Sequence, residues 1–181
     1  MSASLLLAAC AGTQVKKKAP PDLSPLSLYP LHVGAAWSYD VDSGDGDPVL
    51  APTRVTRSEN GMVEVSTSAI GVVGYLLRDD GIVRVPGNGY LLKAPITQGA
   101  TWTSGADTTA RVTALHVALH TPAGDLEECV TVQEDNAVNG QHVTTTYCPG
   151  VGPAQVVSEM EVRGQHLRVI ATLHGYTTTG E

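Results

Sequence analysis

An all-β domain is what this sequence predicts: an antiparallel meander forming a strongly curved sheet, a half-barrel or a sandwich. Three observations carry that expectation. No window sustains an apolar period of 3.6 residues, whereas short runs alternate apolar and polar residues with period 2. Nineteen glycines and eleven prolines punctuate those runs at the intervals that hairpin turns require. Phenylalanine is absent, so Val, Leu and Ile must build the core.

The elements follow in order. Pro30 and Gly34 keep the entry non-helical, and Ala36 to Val41 reads as the first strand. After a loop rich in Gly and Asp, from Asp42 to Pro48, a second strand runs from about Pro52 to Ser58. Asn60-Gly61 tolerates the positive φ of a type I′ turn, so Arg54 to Ile70 should form one hairpin. Tyr75 to Leu77 and Ile82 to Val85 flank Asp79-Asp80-Gly81 as another. Gly87-Asn88-Gly89 turns into Tyr90 to Lys93, and a strand follows from about Thr108 to Leu119. Leu126 to Glu134, His142 to Cys148, Ala154 to Val162 and Gln165 to Tyr176 complete the series. That gives about ten strands, a sheet size that curls, closes or splits into layers.

One motif occurs twice. Pro30-Leu31-x-x-Gly34-Ala35-x-Trp37-Ser38 returns as Pro95-Ile96-x-x-Gly99-Ala100-x-Trp102-Thr103. Both tryptophans of the chain lie in it. Pro ends the preceding element and Gly34 or Gly99 permits a sharp turn. Trp37 or Trp102 can then close the edge of a curved sheet, a structural role.

The cysteines make the strongest chemical prediction. Leu126 to Glu134 and His142 to Cys148 bracket a polar turn at Ala137 to Gly140. A register that sets Thr131 against Thr146 and Gln133 against Thr144 also sets Cys129 against Cys148. Val130 and Val132 then share an apolar face with Val143 and Tyr147, leaving the cystine on the polar face. Directly opposed residues come close enough for a disulfide, and closing a loop of about 20 residues should contribute ~3 kcal/mol. The last hairpin turns at Arg163-Gly164, with Glu159 opposite Arg168 and Met160 opposite Leu167.

The N-terminus speaks to location. Leu5 to Ala9 is apolar, and Leu7-Ala8-Ala9-Cys10 resembles the lipobox of bacterial lipoproteins, whose Cys is lipidated and becomes the new N-terminus. The domain boundaries follow: residues 1–10 a signal segment ending at the lipidated Cys10, 11–25 a Pro/Lys tether, 26–181 a single β domain. Lys16-Lys17-Lys18, Pro20-Pro21 and Pro25 keep the tether solvated and extended. With Cys10 carrying lipid, the remaining pair of the three cysteines would meet in an oxidising compartment. Ala11, where an inner-membrane lipoprotein has Asp, implies the outer membrane, facing the periplasm. Tyr29-Pro30-Leu31-x-x-Gly34-x-x-Trp37-x-Tyr39 soon after that lipobox, with Tyr147-Cys148-Pro149-Gly150-Val151-Gly152, is similar to a loose group of uncharacterised bacterial lipoproteins. The resemblance implies a curved antiparallel sheet at a cell envelope and supplies no activity.

Other constellations are weaker. Asp40, Asp42, Asp45 and Asp47 put four carboxylates on a Gly-rich loop, hard ligands of the kind Ca²⁺ takes. The pattern departs from an EF-hand, and a solvated loop is the competing reading. His116 and His120 alternate with Leu115, Val117 and Leu119 on a strand, which separates the two rings by about 13 Å, too far to chelate one ion. A formal charge of −7 argues against nucleic acid as a partner. No phosphate loop, Gly-x-Ser-x-Gly or His-Glu-x-x-His occurs, and no cofactor is implied. Three functions are therefore carried forward. The first is a lipid-anchored envelope protein with a structural role or a protein-binding role. The second is a periplasmic carrier or chaperone sheltering a lipid or other apolar ligand in the curved sheet. The third is a hydrolase whose site is assembled from distant residues. A carrier needs a large apolar concavity left empty by its own side chains.

Overall fold

The computed structural model describes residues 20–178. The lipobox with Cys10 and most of the Pro/Lys tether lie outside these described residues. The chain opens with one helical turn, α1 (Pro25–Leu28), and continues into twelve strands. These are β1 (Ala36–Asp42), β2 (Val49–Glu59), β3 (Met62–Thr67), β4 (Gly71–Arg78), β5 (Gly81–Val85), β6 (Tyr90–Lys93), β7 (Thr101–Gly105), β8 (Thr108–Thr121), β9 (Gly124–Asn136), β10 (His142–Cys148), β11 (Gly152–Val162) and β12 (Gln165–Thr177). Every paired neighbour is antiparallel, and the sheet runs β6-β5-β4-β3-β2-β1-β12-β11-β10-β9-β8-β7. The meander thus bends round on itself: β1 pairs with β12 from Ala36↔Thr177 to Asp42↔Ile170. The result is a nearly closed barrel whose one break lies between β6 and β7, strands consecutive in sequence.

Turn chemistry sets most of the registers. Asn60 (φ 51) and Gly61 (φ 79) make the β2–β3 turn, and Arg163 (φ 53) and Gly164 (φ 77) the β11–β12 turn, as type I′ geometry demands. Glu159 stands opposite Arg168 and Met160 opposite Leu167, as expected. The β9–β10 register sets Thr131 against Thr146 and Gln133 against Thr144. The structure adds one strand, β7, which the sequence marks only as a Trp motif, and it extends β4 back from Tyr75 to Gly71, where Gly71 to Gly74 carry no period that distinguishes them from a loop.

Alternation puts one side of each strand inside. Trp37, Val55, Val63, Val65, Ile82, Leu92, Trp102, Val112, Val130, Val132, Tyr147 and Leu173 are buried there. The N-terminal segment fills the remaining space. Ser24 caps α1 by accepting the Ser27 N–H. Leu28, Tyr29 and Leu31 are then buried in the core, and the Gly150 N–H bonds the Ser27 carbonyl at 2.8 Å. α1 touches both β5 and β11. Those strands stand on opposite sides of a twelve-membered ring, so this short segment crosses the barrel as a plug.

The β8–β9 hairpin does not continue straight. Its ladder slips three times, and His116 (φ 55) and Glu128 (φ 59) sit at left-handed positions in the bulged part. The bend carries its tip across to β12, where the Ala123 N–H meets the Leu173 carbonyl at 3.3 Å. This corrects one expectation. Cys129 and Cys148 are bonded, with Cα atoms 4.1 Å apart, but the cystine is not on a solvated polar face. Both residues are buried, because the bent hairpin sets Val117 beside Cys129.

Candidate functional site at the seam of the barrel

The repeated Pro-x-x-x-Gly-Ala-x-Trp motif marks the two halves of the ring, one opening β1 and the other β7. Its backbone is the same in both. Gly34 (φ 94) and Gly99 (φ 79) adopt conformations that a Cβ would strain. The Ala35 N–H bonds the His32 carbonyl and the Ala100 N–H bonds the Thr97 carbonyl, each at 3.0 Å. The Ala35 and Ala100 carbonyls then accept from Val55 and Val112, each at 2.9 Å. Both indoles are inside and both donate to a backbone carbonyl: Trp37 Nε1 to Val151 O at 2.6 Å, Trp102 Nε1 to Tyr90 O at 3.0 Å. The second bond runs from β7 to β6, so Trp102 stitches the break in the ring.

Two further contacts reinforce the stitch, and neither was foreseen. Gly89 lies so close to β7 that a Cβ built on it would stand 2.1 Å from the Ser104 carbonyl oxygen. Arg84, on β5, reaches past β6 to the far side of the seam. Its Nη1 donates to Ser104 O at 2.9 Å and to Glu134 Oε1 at 2.8 Å, and its Nη2 donates to Glu134 Oε2 at 2.8 Å. Glu134 belongs to β9, where Val130 and Val132 put it on the inward face. The pair is largely withdrawn from water, with side chains 31% and 11% exposed. Burial alone would lower the guanidinium pKa. The hydrogen bonds and charge of Glu134 outweigh it and raise the pKa, so the guanidinium stays charged.

Beside the pair is a cleft of about 260 Å³ lined by Arg84, Ser104, Thr108, Glu134, Asn136, Gln141 and Val143. Most polar groups around it are spoken for. Asn136 Nδ2 donates to Thr108 Oγ1 at 2.9 Å, while its Oδ1 accepts from the backbone of Val138 and Asn139. Gln141 Nε2 donates to Ser158 Oγ at 3.0 Å. The exception is Ser104, 3% exposed, whose hydroxyl has no partner among the described residues.

Away from the seam the lumen is aromatic. The Tyr29 ring meets Trp37 edge-on at 5.2 Å, Tyr75 at 6.0 Å and Tyr147 at 6.4 Å. Burial raises the phenol pKa values of Tyr29, Tyr39, Tyr75 and Tyr147 above the ordinary phenol value. Tyr39 donates to Pro153 O at 3.0 Å.

The other sequence candidates separate from one another. Asp40 pairs with His174 at 3.0 Å on the outside of the sheet. Asp42 Oδ1 accepts the Gly44 N–H at 2.8 Å, an Asx turn that shapes the loop. Asp45 and Asp47 are exposed in that loop. Among the described residues, no group of three acidic, His or Cys side chains could hold a metal ion. His116 and His120 are engaged separately, the first by Glu128 and the second by Asp125 at 2.5 Å.

Comparison with known proteins shows the fold and no more. No family model matches the chain, and neither does any curated protein. A solved structure from Bacteroides fragilis, described by inference as an exported protein with a YmcC-like fold, shares 13% identity at a TM-score of 0.52. The match covers 82% of this chain and 98% of that one. A second, from Parabacteroides distasonis and described by inference as a lipoprotein, shares 11% identity at a TM-score of 0.44. It covers 83% of this chain and 98% of that one.

Proposed function

We propose that this chain is a lipid-anchored envelope protein, held at the outer membrane through Cys10 and facing the periplasm, whose barrel serves a structural role or binds another envelope protein. The observation that carries the choice of role is the filled lumen. Tyr29, Trp37, Tyr75 and Tyr147 pack against one another inside, with Leu28 and Leu31 of the plug beside them. These side chains take up the space inside the ring that a lipid would need, so a carrier would have to use the open concavity of about 820 Å³ lined by Trp37, Pro52, Thr67 and Tyr176 among others. The hydrolase reading loses ground as well, because among the described residues no His faces the seam cleft where Ser104 and Glu134 meet. The lipobox and the buried cystine support an exported, oxidising setting. The Bacteroides fragilis neighbour described as exported agrees with it.

The test is direct. The wild-type chain should fractionate with outer membranes, and Cys10→Ser should release it with unchanged circular dichroism. Retention of the variant on the membrane would end the anchoring reading. Native mass spectrometry of the detergent-extracted protein should show no lipid beyond the covalent one. A stoichiometric, non-covalent lipid would restore the carrier.

A further inference from the structure

The dipeptide Asn-Gly occurs three times, as Asn60-Gly61, Asn88-Gly89 and Asn139-Gly140. In such a pair the chain is open to attack on itself. With no Cβ on the glycine, its backbone nitrogen can swing toward the side-chain amide carbon of the preceding asparagine. All three asparagines are exposed, so neither sequence nor accessibility separates them. Their hydrogen bonds do. We infer that Asn60 is a site of spontaneous deamidation, a covalent modification whose co-reactant is water, and that the fold protects the identical dipeptide at Asn139.

Ring closure needs two free groups, the asparagine side chain and the N–H of the glycine after it. At Asn139 both are held. Its Oδ1 accepts the Gln141 N–H at 3.0 Å, and its own N–H donates to Asn136 Oδ1 at 3.0 Å. The Gly140 N–H donates to the Asn136 carbonyl at 3.1 Å. At Asn88 the side chain is free, but Gly89 is clamped in the seam. Its carbonyl accepts the Arg84 N–H at 2.8 Å, and a Cβ there would stand 2.1 Å from the Ser104 carbonyl oxygen. Asn60 lies at the tip of the β2–β3 hairpin, past the last paired residues, Glu59 and Met62. Among the described residues, neither its side chain nor the Gly61 N–H has a partner. The turn is tied at the Gly61 carbonyl, which accepts the Leu77 N–H at 2.8 Å, and this leaves the peptide unit between Asn60 and Gly61 unbonded.

The step balances without an oxidant. The Gly61 nitrogen bonds to Asn60 Cγ as the bond from Cγ to Nδ2 breaks, and ammonia leaves with the proton shed by Gly61. Water then opens the succinimide at either carbonyl, giving aspartate or isoaspartate. Aspartate sets a new carboxylate beside Arg57, Glu59 and Glu64, where Arg57 Nη2 is already paired with Glu59 at 2.6 Å. Isoaspartate adds a methylene to the main chain, so the turn no longer holds Glu59 opposite Met62. The chemistry needs neither an anchor nor a particular compartment.

Full-length protein held at mildly alkaline pH and sampled over days tests this by peptide mapping in a mass spectrometer. In the folded protein the peptide containing Asn60 should convert to its aspartyl and isoaspartyl forms several-fold faster than the peptide containing Asn88. The Asn139 peptide should remain an amide. In concentrated guanidinium all three should convert at similar rates, which separates the effect of the fold from that of the flanking residues. Three results would overturn the inference. Asn139 could convert as fast as Asn60 in the folded protein. The three sites could keep the same order of rates in guanidinium as in buffer, so that the fold decides nothing. Asn60 could stay intact in the folded protein while converting in the denatured one, which would make the turn itself a protection.

Discussion

Raising the pH should unfold this protein through its own lumen. Four of the six tyrosines, Tyr29, Tyr39, Tyr75 and Tyr147, have phenol pKa values raised by burial above the ordinary 10.0. A raised folded-state pKa gives stability that is intact below the unfolded value and is lost as pH climbs from there toward the folded value. In the unfolded chain each phenol ionises near pH 10.0, and each pH unit beyond that favours unfolding by about 1.4 kcal/mol per group. Four such groups give at most about 5–6 kcal/mol per pH unit. A domain of this kind has about 5–15 kcal/mol in all. Cooperative unfolding is therefore expected between about pH 11 and pH 12. Phenolate absorbance and far-ultraviolet circular dichroism, followed together, test this. The four buried phenols should appear in one step coincident with loss of strand signal. In concentrated guanidinium all six should titrate together. A single reversible titration of all six near pH 10 with the circular dichroism unchanged would show that the lumen is open to solvent and refute the packing argument.

Three further outcomes follow from the seam and the cystine. Glu134→Gln removes the partner charge of a guanidinium largely withdrawn from water and should cost about 3–5 kcal/mol; the double variant Arg84→Met, Glu134→Leu should recover most of that loss in urea unfolding, and no recovery would mean that the pair does more than neutralise itself. Gly89→Ala places a methyl 2.1 Å from the Ser104 carbonyl oxygen, so β6 and β7 must separate. Hydrogen exchange should rise at Tyr90 to Leu92 and Thr101 to Thr103 before it rises at β2 or β11, and uniform protection would contradict the seam. Reducing the buried cystine, which spans 19 positions, should lower stability by ~3 kcal/mol. Because Cys129 and Cys148 are shielded, reduction should also be slow in native protein and fast once it is denatured, and equal rates in both states would contradict the burial.

What the sequence makes legible here is local. Asn60-Gly61 and Arg163-Gly164 specify their hairpins because positive φ at both turn positions fixes register within a few residues. The Cys129 to Cys148 hairpin is legible for a similar reason, since alternation and a polar turn agree. The direction faced by the cystine is not. It depends on a bend in β8–β9, which left-handed His116 and Glu128 create without any Gly or Pro to announce it. The seam site does carry a signal in the sequence. Glu134 follows Val130 and Val132 at period 2, and Arg84 follows Ile82, so each charge sits on an apolar face. Two opposite charges on apolar faces are an invitation to pair. Which strands would face each other, however, depends on closure of the whole ring. No turn encodes the pairing of β1 with β12, because it joins the two ends of the domain.

That end-to-end pairing has a consequence for how the chain is wired. Ala36 and Thr177 are neighbours in the middle of the sheet, while Lys93 and Thr101, a short loop apart, begin its two free edges. The molecule is a plain up-and-down ladder from β7 to β6 that has been circularly permuted. Each half can zip up from adjacent hairpins with little loop entropy to overcome. Only the weld between β1 and β12 must wait for the last strand. A permuted gene that joins the ends beside Ala36 and Thr177 and opens between Lys93 and Thr101 would turn the slowest contact into one of the most local. Such a chain should fold faster to the same barrel.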